Sequence, residues 1–427
     1  MELLILFGVL FSLLIIGVPV AFSLGLASLA TMAYLDIPMV VAFQRMASGM
    51  NVFALMAIPF FIYAGELMNQ SGIAERLVRF AHSLLCRVRG GLGQVNVVSS
   101  MMFGSISGSA VASASSIGST LIPMMKKQGY DADYAVNVTA TAATTGLLIP
   151  PSHNMIIYAV AAGGGISIGS LFLAGILPGI LLGVGLMIVT YLVAVKRGYP
   201  AGEFPGWTKV LKYFLSALPG LFAVIIILGG ILSGVFTATE SSAIAVIYTI
   251  LVAVLVYRSL DWNGFITASI NAVKTTAMIL LIIGTAASFA WMLAVLEVPT
   301  LLSTTLLAIS DNPLIILLIV NLILLVLGTF MDMSPLIIIT TPIFLPVMVA
   351  LGMDPVQFGI MLILNLGLGV VTPPVGTVLF VACAVGGIRI EDTLRSILPF
   401  YLVFLVVLAL VTYLPSTTLL LPSLFGQ

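Results

Sequence analysis

The chain has 427 residues, of which 61% are hydrophobic and 7% are charged, and its mean hydropathy is +1.26. Soluble domains carry about 25% charged residues, so this composition excludes a soluble enzyme, a nucleic-acid-binding protein and a disordered chain. The 15 Lys and Arg residues balance the 15 Asp and Glu residues, so no net charge attracts a polyanion. We predict an all-α polytopic membrane protein, because each span in lipid must satisfy its own backbone hydrogen bonds. Cys86 and Cys383 are expected to be buried small hydrophobic residues.

Taken in chain order, about ten segments are apolar over nearly the 20 residues that a membrane span needs. They are 3–16, 18–35, 51–70, 134–162, 170–195, 213–232, 238–257, 276–296, 355–388 and 396–414. Two further regions, 93–125 and 313–350, are apolar at both ends and polar in the middle. Their limbs of about 11–17 residues are short for a crossing. We interpret both as re-entrant hairpins with tips near the midplane, and two short tilted spans per region remain the alternative.

The basic residues define an orientation, because Lys and Arg concentrate on the cytoplasmic side. One arrangement places 14 of the 15 basic residues in the cytoplasm, with Arg45 as the exception, and puts Asp311 outside. The first hairpin then opens inward and the second outward. Two segments with apolar residues on one helical face, 71–89 and 258–275, are expected to lie along the cytoplasmic membrane surface. By symmetry, their counterparts on the opposite side are expected at 36–50 and 299–310.

An internal repeat relates the two halves. Pro123 and Pro346 are separated by 346 − 123 = 223 positions. The same offset relates Gly129 to Gly352, Asp131 to Asp354, Pro150 to Pro373 and Pro151 to Pro374. We therefore predict two inverted repeats, 1–197 and 213–427, joined by a cytoplasmic connector at 198–212. Each repeat contains three spans, a hairpin, a long span interrupted by Pro-Pro and a last span. Inverted repeats with interrupted helices are typical of secondary transporters.

The Pro-Pro pairs predict unwound backbone inside two apolar segments. Proline removes a hydrogen-bond donor and clashes with the preceding turn, at about 3 kcal/mol inside a helix. The carbonyl groups that are freed need other partners in lipid. A sodium ion held by carbonyls and hydroxyls is one such partner, and bound water or a Ser side chain is the alternative.

Polar residues concentrate where the hairpin tips and the breaks are expected to meet. The first tip, 104–109, and the first break, 148–154, supply hydroxyl groups and no carboxylate. This combination suits a cation bound by neutral oxygens, or an anion bound by helix N-termini. The second tip, 328–335, and the second break, 371–377, include Asp332, a carboxylate deep in an apolar stretch. Such a residue is a functional candidate, although a helix N-cap is an equal interpretation.

Other motifs contribute less. Glu240 is expected to cap a helix. The chain contains no phosphate-binding loop, so ATP is not expected to drive it. It also has no nucleophile elbow, and we do not expect an enzyme.

Five motifs in order resemble the large membrane subunit (DctM/SiaM type) of tripartite ATP-independent periplasmic (TRAP) transporters, over nearly the whole chain. They are Ala57-Ile58-Pro59-Phe60-Phe61 with Gly65-Glu66-Leu67-Met68, Phe103-Gly104-Ser105-Ile106-Ser107-Gly108-Ser109-Ala110-Val111-Ala112, Leu148-Ile149-Pro150-Pro151-Ser152, Gly234-Val235-Phe236-Thr237-Ala238-Thr239-Glu240 and Val371-Thr372-Pro373-Pro374-Val375-Gly376. One departure is Ala238, where the family often has Pro.

The resemblance implies an elevator-type, sodium-coupled importer of an organic acid in the bacterial inner membrane. It also implies a small four-span membrane subunit, expected as a separate chain, and a periplasmic binding protein that delivers the substrate. By motif match, the residues near bound sodium are Gly104, Ser105, Gly108 and Pro150 in one half and Gly328, Asp332, Thr372 and Gly376 in the other. Substrate contacts fall on Ser107 and Ser152. A binding-protein-independent symporter or antiporter, and a channel or structural membrane subunit, remain the alternatives.

Overall fold

The regular secondary structure is helical throughout the described chain, which confirms the predicted all-α class. A computed structural model describes residues 1–310 and 312–426, without the side chains of Ile106, Leu306 and Leu307, so Asp311 lies outside the described residues. The first ten helices are α1 (Glu2–Ile15), α2 (Val20–Tyr34), α3 (Val40–Met50), α4 (Ala57–Gln70), α5 (Ile73–Leu85), α6 (Gly91–Ser107), α7 (Ala110–Lys127), α8 (Ala132–Ala143), α9 (His153–Ala161) and α10 (Ile168–Lys196). The next ten are α11 (Trp207–Leu232), α12 (Ala238–Leu251), α13 (Trp262–Val295), α14 (Val298–Ile309), α15 (Pro313–Phe330), α16 (Met333–Ala350), α17 (Pro355–Gly369), α18 (Thr377–Gly386), α19 (Leu394–Tyr413) and α20 (Ser416–Leu424).

Both predicted hairpins form, and each tip is a two-residue turn. Gly108 and Ser109 separate α6 from α7, and Met331 and Asp332 separate α15 from α16. The limbs have 17 or 18 residues, or about 26–27 Å at 1.5 Å per residue. They are longer than expected, because the Ser, Thr and Gly residues that lower the hydropathy near each tip do not end the helix. Both limbs of the second hairpin are long and apolar enough to cross a membrane, so re-entrance stays a prediction.

The two segments that contain Pro-Pro are interrupted as predicted. Residues 148–152 separate the short 3-10 helix Thr144–Leu147 from α9, and residues 370–376 separate α17 from α18. The Pro150–Pro151 and Pro373–Pro374 peptide bonds are both cis. The starts of the two segments also match. Gly129 and Gly352 have φ values of +83° and +86°, and Asp131 and Asp354 occupy the N-cap positions of α8 and α17. The inverted relation of the complete halves, 1–197 and 213–427, stays a prediction.

The prediction of a surface helix at 258–275 followed by a span at 276–296 was wrong. A single continuous helix, α13, has 34 residues and is about 51 Å long. Polar residues such as Asn271 and Lys274 lower the local hydropathy, but nothing there removes a backbone donor or demands positive φ. The short helix α20, which follows the last predicted span, was not predicted.

Length and composition identify fewer unbroken spans than the sequence suggested. Seven of the described helices are long and apolar enough to cross a membrane, or eight if α3 and the segment Phe53–Gln70, which meet at 64°, form one bent span. Two of the seven are the limbs of the second hairpin, so five of the ten predicted spans are among them. Of the other five, α1 and α2 have only 14 and 15 residues, the two Pro-Pro segments consist of short helices on either side of a break, and 51–70 counts only as part of the bent pair. Cys86 and Cys383 are buried free thiols, as predicted.

The hairpins and the broken segments pack into one body, and the two halves cross over inside it. The second limb of the first hairpin, α7, packs against α18, and the second limb of the second hairpin, α16, packs against α9. A separate group of helices packs around α4 and α13. These two helices contact each other, α4 also contacts α12, and α13 also contacts α2. This arrangement brings both tips and both breaks together, with α4 and α13 facing them.

A network of polar side chains lies at the end of the hairpin body that the charge pattern places in the cytoplasm. Arg197 donates hydrogen bonds to Asp131 (2.8 Å) and Asp133 (3.0 Å), and the Tyr199 hydroxyl donates to Asp131 (2.7 Å). Burial raises the pKa of Asp133, but the hydrogen bonds and charge of Arg197 outweigh it and hold that pKa below its usual value. Burial and the bond to Asp131 raise the pKa of Tyr199 to about 12. The network joins the start of α8 to the end of α10.

Candidate functional site

The first hairpin tip contacts the first break directly. Gly108 has a φ of +63°, and a Cβ added to it would lie 3.2 Å from both the Pro151 carbonyl oxygen and the His153 backbone nitrogen. Only glycine combines this left-handed conformation with so close an approach. Ser109 then starts α7 as its N-cap, with its hydroxyl accepting a hydrogen bond from the Ala112 backbone N–H at 3.3 Å. The tip and the break therefore form one structural unit.

The backbone of the first break leaves helical hydrogen bonding. The N–H groups of Leu148 and Ile149 both donate to the Thr145 carbonyl at 3.1 Å. Two residues without N–H groups follow, and α9 starts after Ser152. The Ser152 side chain is fully buried, and its hydroxyl has no hydrogen-bond partner among the described residues. A buried hydroxyl of this kind is available to a ligand.

The second tip contacts the second break through a backbone hydrogen bond. The Val375 N–H donates to the Thr329 carbonyl at 3.2 Å. Asp332 occupies the N-cap position of α16 but makes no side-chain capping bond. Instead its carboxylate accepts a hydrogen bond from the Thr377 hydroxyl at 3.3 Å, so it joins the tip to the start of α18. Glu240, in contrast, forms the expected capping box with Thr237.

Two pairs of glycines hold the hairpins against the broken segments. A Cβ added to Gly104 would lie 2.5 Å from the Gly146 Cα, and one added to Gly369 would lie 2.6 Å from the Gly328 Cα. The pairs occupy nearly corresponding places in the two halves, since 328 − 104 = 224 and 369 − 146 = 223. Larger side chains would separate each tip from its break.

Four helices begin around one small chamber. They are α7, α9, α16 and α18, and the chamber of about 60 Å³ is lined by Ser109, His153, Asn154, Asp332 and Ser334, among others. The Ser334 hydroxyl donates to the Asn154 side-chain oxygen at 3.3 Å, which links the two halves. Each helix N-terminus carries about half a positive charge, so the chamber suits a carboxylate or a similar anion.

A larger cavity of about 550 Å³ continues from the tips to the facing helices α4 and α13. Ser107, His153 and Asp332 line it on one side, and Glu66 and Asn271 line it on the other. The Asn271 amide donates to the Glu66 carboxylate at 3.5 Å. Gly65 lies against the tip, since a Cβ added there would lie 3.2 Å from the Ser107 Cα. The cavity therefore lies between the hairpin body and the surrounding helices.

The structure brings together most of the residues that the motifs predicted. Gly104, Gly108 and Pro150 lie at the first contact of tip and break, and Gly328, Asp332, Thr372 and Gly376 lie at the second. A Cβ added to Gly376 would lie 3.1 Å from the Thr372 carbonyl oxygen. Ser107 lines the large cavity.

Two predicted residues do not face the cavity. Ser152 lies behind the cavity wall, fully buried. Ser105 is buried, and its hydroxyl donates to the Met102 carbonyl at 2.8 Å.

Several residues of the site were not identified from the sequence. Glu66 was named only within a family motif and Asn271 lies in a predicted surface helix, yet both line the cavity. No local pattern connects α4 to α13, which are about 200 residues apart. His153 and Asn154 stand in the predicted break, and their position next to Pro-Pro was the only available signal.

Residues 7–417 match the family model described as "Tripartite ATP-independent periplasmic transporter, DctM component". The chain belongs to this family. It is 41% identical to the sialic acid TRAP transporter large permease protein SiaM of Vibrio cholerae, over 97% of this chain and 96% of the relative. It is 40% identical to the C4-dicarboxylate TRAP transporter large permease protein DctM of Pseudomonas aeruginosa, over 88% of this chain and 87% of the relative.

A solved structure shares the fold of this DctM-family chain. The YdaH transporter of Alcanivorax borkumensis is 14% identical and matches with a TM-score of 0.63 over 90% of this chain and 88% of that one. The family model and the relatives confirm the resemblance to the TRAP large subunit, and the chain is a multi-pass inner-membrane permease subunit. The expectation of a transporter rather than an enzyme is confirmed by the relatives.

Proposed function

We propose that the chain is the large permease subunit of a sodium-coupled importer that moves an organic acid by an elevator mechanism. The observation that supports this function best is the pairing of two hairpin tips with two Pro-Pro breaks. Each contact joins backbone that has left helical hydrogen bonding to a tip with hydroxyl groups, which are those of Ser107 and Ser109 in the first and of Thr329 and Ser334 in the second. Unwound helices that meet near the middle of a bundle are where secondary transporters bind substrates and coupling ions.

Sodium is proposed to bind at the two contacts between tip and break. The first group is Gly104, Ser105, Gly108 and Pro150, which would supply neutral oxygens, mainly carbonyls. The second group is Gly328, Asp332, Thr372 and Gly376, which adds one carboxylate. Free carbonyl oxygens and a carboxylate are suitable ligands for a hard cation. Bound sodium would hold each tip against its break and order the chamber between them.

The acid is proposed to bind with its carboxylate toward the four helix N-termini and to contact Ser107. The contact with Ser152 that the motif implies would require this buried hydroxyl to become accessible. Helix N-termini bind anions without a basic side chain. The names of the two relatives above refer to a sialic acid and to C4-dicarboxylates, and both kinds of substrate carry carboxylates. Their similar identities to this chain favour neither substrate.

Movement of the hairpin body past α4 and α13 is proposed to expose the cavity to each side in turn. Moving the hairpin body through lipid with an unneutralised charge is costly. The body would therefore move only when both sodium and the acid are bound. Two partners are proposed, a small four-span membrane subunit and a periplasmic binding protein that delivers the acid.

The test is uptake of a labelled acid into proteoliposomes that contain both membrane subunits, with the binding protein added outside. We expect saturable uptake that requires an inward sodium gradient and the binding protein. Equal uptake when potassium replaces sodium would contradict the coupling. Equal uptake without the binding protein would instead favour an independent symporter or antiporter, and flux that does not saturate would favour a channel.

A further inference from the structure

We infer that the large cavity selects an acid with one carboxylate and a polyhydroxylated body, in preference to a short dicarboxylate. This inference rests on the proposed function and narrows its substrate class. The relatives do not indicate which acid binds, since those named for sialic acid and for C4-dicarboxylates have similar identities to this chain. The inference rests instead on the chemistry of the cavity wall.

The charge of the wall opposes a second carboxylate on the substrate. Among the described residues that line the cavity there is no Lys or Arg, and Glu66 is the one carboxylic acid outside the proposed sodium sites. The N-termini of α7, α9 and α16 lie at one end of the cavity, where Ser109, His153 and Ser334 line it. One substrate carboxylate can bind there. A second one would extend toward the other end, where Asn271 is the one side chain of the described residues that forms a hydrogen bond with Glu66, and like charges repel.

The wall that faces the rest of the substrate carries neutral polar groups instead. Asn69, Ser115 and Thr275 line this part of the cavity. The Asn69 side-chain oxygen accepts a hydrogen bond from Ser116 at 2.7 Å, which leaves its NH₂ group free. The hydroxyls of Ser115 and Thr275 make no side-chain hydrogen bond to any described residue. Free hydroxyl and amide groups both donate and accept, as the hydroxyl groups of a polyol do.

His153 adds a further unpaired polar group between the chamber and the large cavity. Its ring lines both spaces and lies close to Gly108, and within the described chain its nitrogens form no hydrogen bond. A neutral imidazole offers one donor and one acceptor. It is therefore placed to bind a hydroxyl or carbonyl group next to the substrate carboxylate.

The size of the cavity agrees with a larger acid. Its volume of about 550 Å³ falls within the range of pockets that enclose drug-sized ligands, about 300–1,000 Å³. A four-carbon dicarboxylate would leave most of it unfilled. A larger acid with several hydroxyl groups would fill more of the cavity, whose lining includes Asn69 and Thr275.

The experiment measures direct binding to the two purified membrane subunits in nanodiscs, without the binding protein, so that only the cavity selects. Isothermal titration compares D-gluconate, N-acetylneuraminate and succinate, each in sodium and in potassium buffer. We expect at least one of the two polyhydroxylated acids to bind about tenfold or more tightly than succinate in sodium. Succinate binding as tightly as both, or absence of binding by both polyhydroxylated acids, would overturn the inference.

Two variants test the assignment to this wall. Ser115→Ala is expected to weaken binding of the polyhydroxylated acid several-fold and to leave succinate binding unchanged. Ser119→Ala, one turn further along α7 and outside the cavity lining, is the matched control and should change neither. Glu66→Gln is expected to improve succinate binding more than binding of the polyhydroxylated acid. Equal effects of Ser115→Ala and Ser119→Ala would overturn the assignment.

The sodium comparison separates this inference from the proposed function. Tight succinate binding that requires sodium would overturn the substrate class and leave sodium coupling supported. Tight binding of a polyhydroxylated acid that is equal in sodium and potassium would support the substrate class and contradict the coupling.

Discussion

Replacing Gly369 with alanine should separate the second hairpin tip from the second break. The added Cβ would lie 2.6 Å from the Cα and the carbonyl carbon of Gly328, whereas ordinary contacts begin at 3.4 Å. The backbone of α15 would have to retreat by 3.4 − 2.6 = 0.8 Å. No flexible side chain can absorb this movement, because both partners are backbone atoms. Thr329, whose carbonyl accepts the hydrogen bond from Val375, is the next residue along α15.

The size of the effect follows from the cost of overpacking, which is about 1–3 kcal/mol for an added methyl group in a tightly packed interior. If the tip must contact the break to bind sodium, the overpacking energy destabilises the sodium-bound state of the variant. The apparent affinity for sodium would then decrease by about 5- to 150-fold, since 1.4 kcal/mol corresponds to a factor of ten.

The chain supplies a matched control two residues away on the same helix. A Cβ added to Gly367 would lie 3.5 Å from the Leu147 Cδ1 atom, an ordinary contact with a side chain. Gly367→Ala makes the same chemical change in α17, and alanine favours a helix over glycine by about 1 kcal/mol. We expect this variant to keep the wild-type affinity for sodium and to be no less stable.

The assay is the thermal unfolding of each purified variant as sodium replaces potassium at constant ionic strength. A ligand that binds only the folded state raises stability with its concentration, so the sodium concentration that gives a fixed shift reports affinity. Wild-type sodium dependence in Gly369→Ala, or equal losses in both variants, would refute the reasoning. A wild-type protein without sodium dependence would contradict the proposed sodium sites themselves.

Three other predictions concern single polar groups. Asp332→Asn should decrease the apparent sodium affinity in uptake assays, and unchanged sodium dependence would leave this residue a structural link to Thr377. Ser107→Ala should decrease uptake more than it decreases expression, and unaltered uptake would remove it from the site. Arg197→Gln should lower the melting temperature at neutral pH. The ion pair between Arg197 and Asp133 stabilises the folded state because it lowers the pKa of Asp133 there. This contribution is complete above about pH 4 and is lost as the pH falls through the folded-state pKa. Melting scans over pH should therefore show the two proteins converging in acid, and a pH-independent difference would contradict the assignment.

Much of the fold could be predicted because membrane burial constrains each segment separately. Continuous apolar runs identified helices such as α10, α11 and α19, and the polar interruptions at 104–109 and 328–335 identified both hairpins. The Pro-Pro pairs located the breaks, because proline cannot continue a helix in lipid without leaving carbonyls unpaired. Glu240 was correctly assigned to a helix cap, since the pattern Thr-x-x-Glu is local.

Predictions failed where hydropathy and helix continuity differ. Asn271 and Lys274 suggested a boundary, although α13 continues through them. Hydropathy reports which residues lipid accepts, whereas a helix ends only where its backbone hydrogen bonds cannot continue.

The sequence by itself determined that the chain is an all-helical membrane permease with two hairpins and two interrupted segments, because these features depend on residues close together along the chain. Only the tertiary structure decided which groups share a cavity. The crossing of α7 to α18 and of α16 to α9 places Asn154 beside Ser334, and the packing of α4 on α13 places Glu66 beside Asn271. Such pairs, separated by about 180 and 200 residues, depend on which helices pack together, and no local pattern in the sequence specifies the partner of a helix.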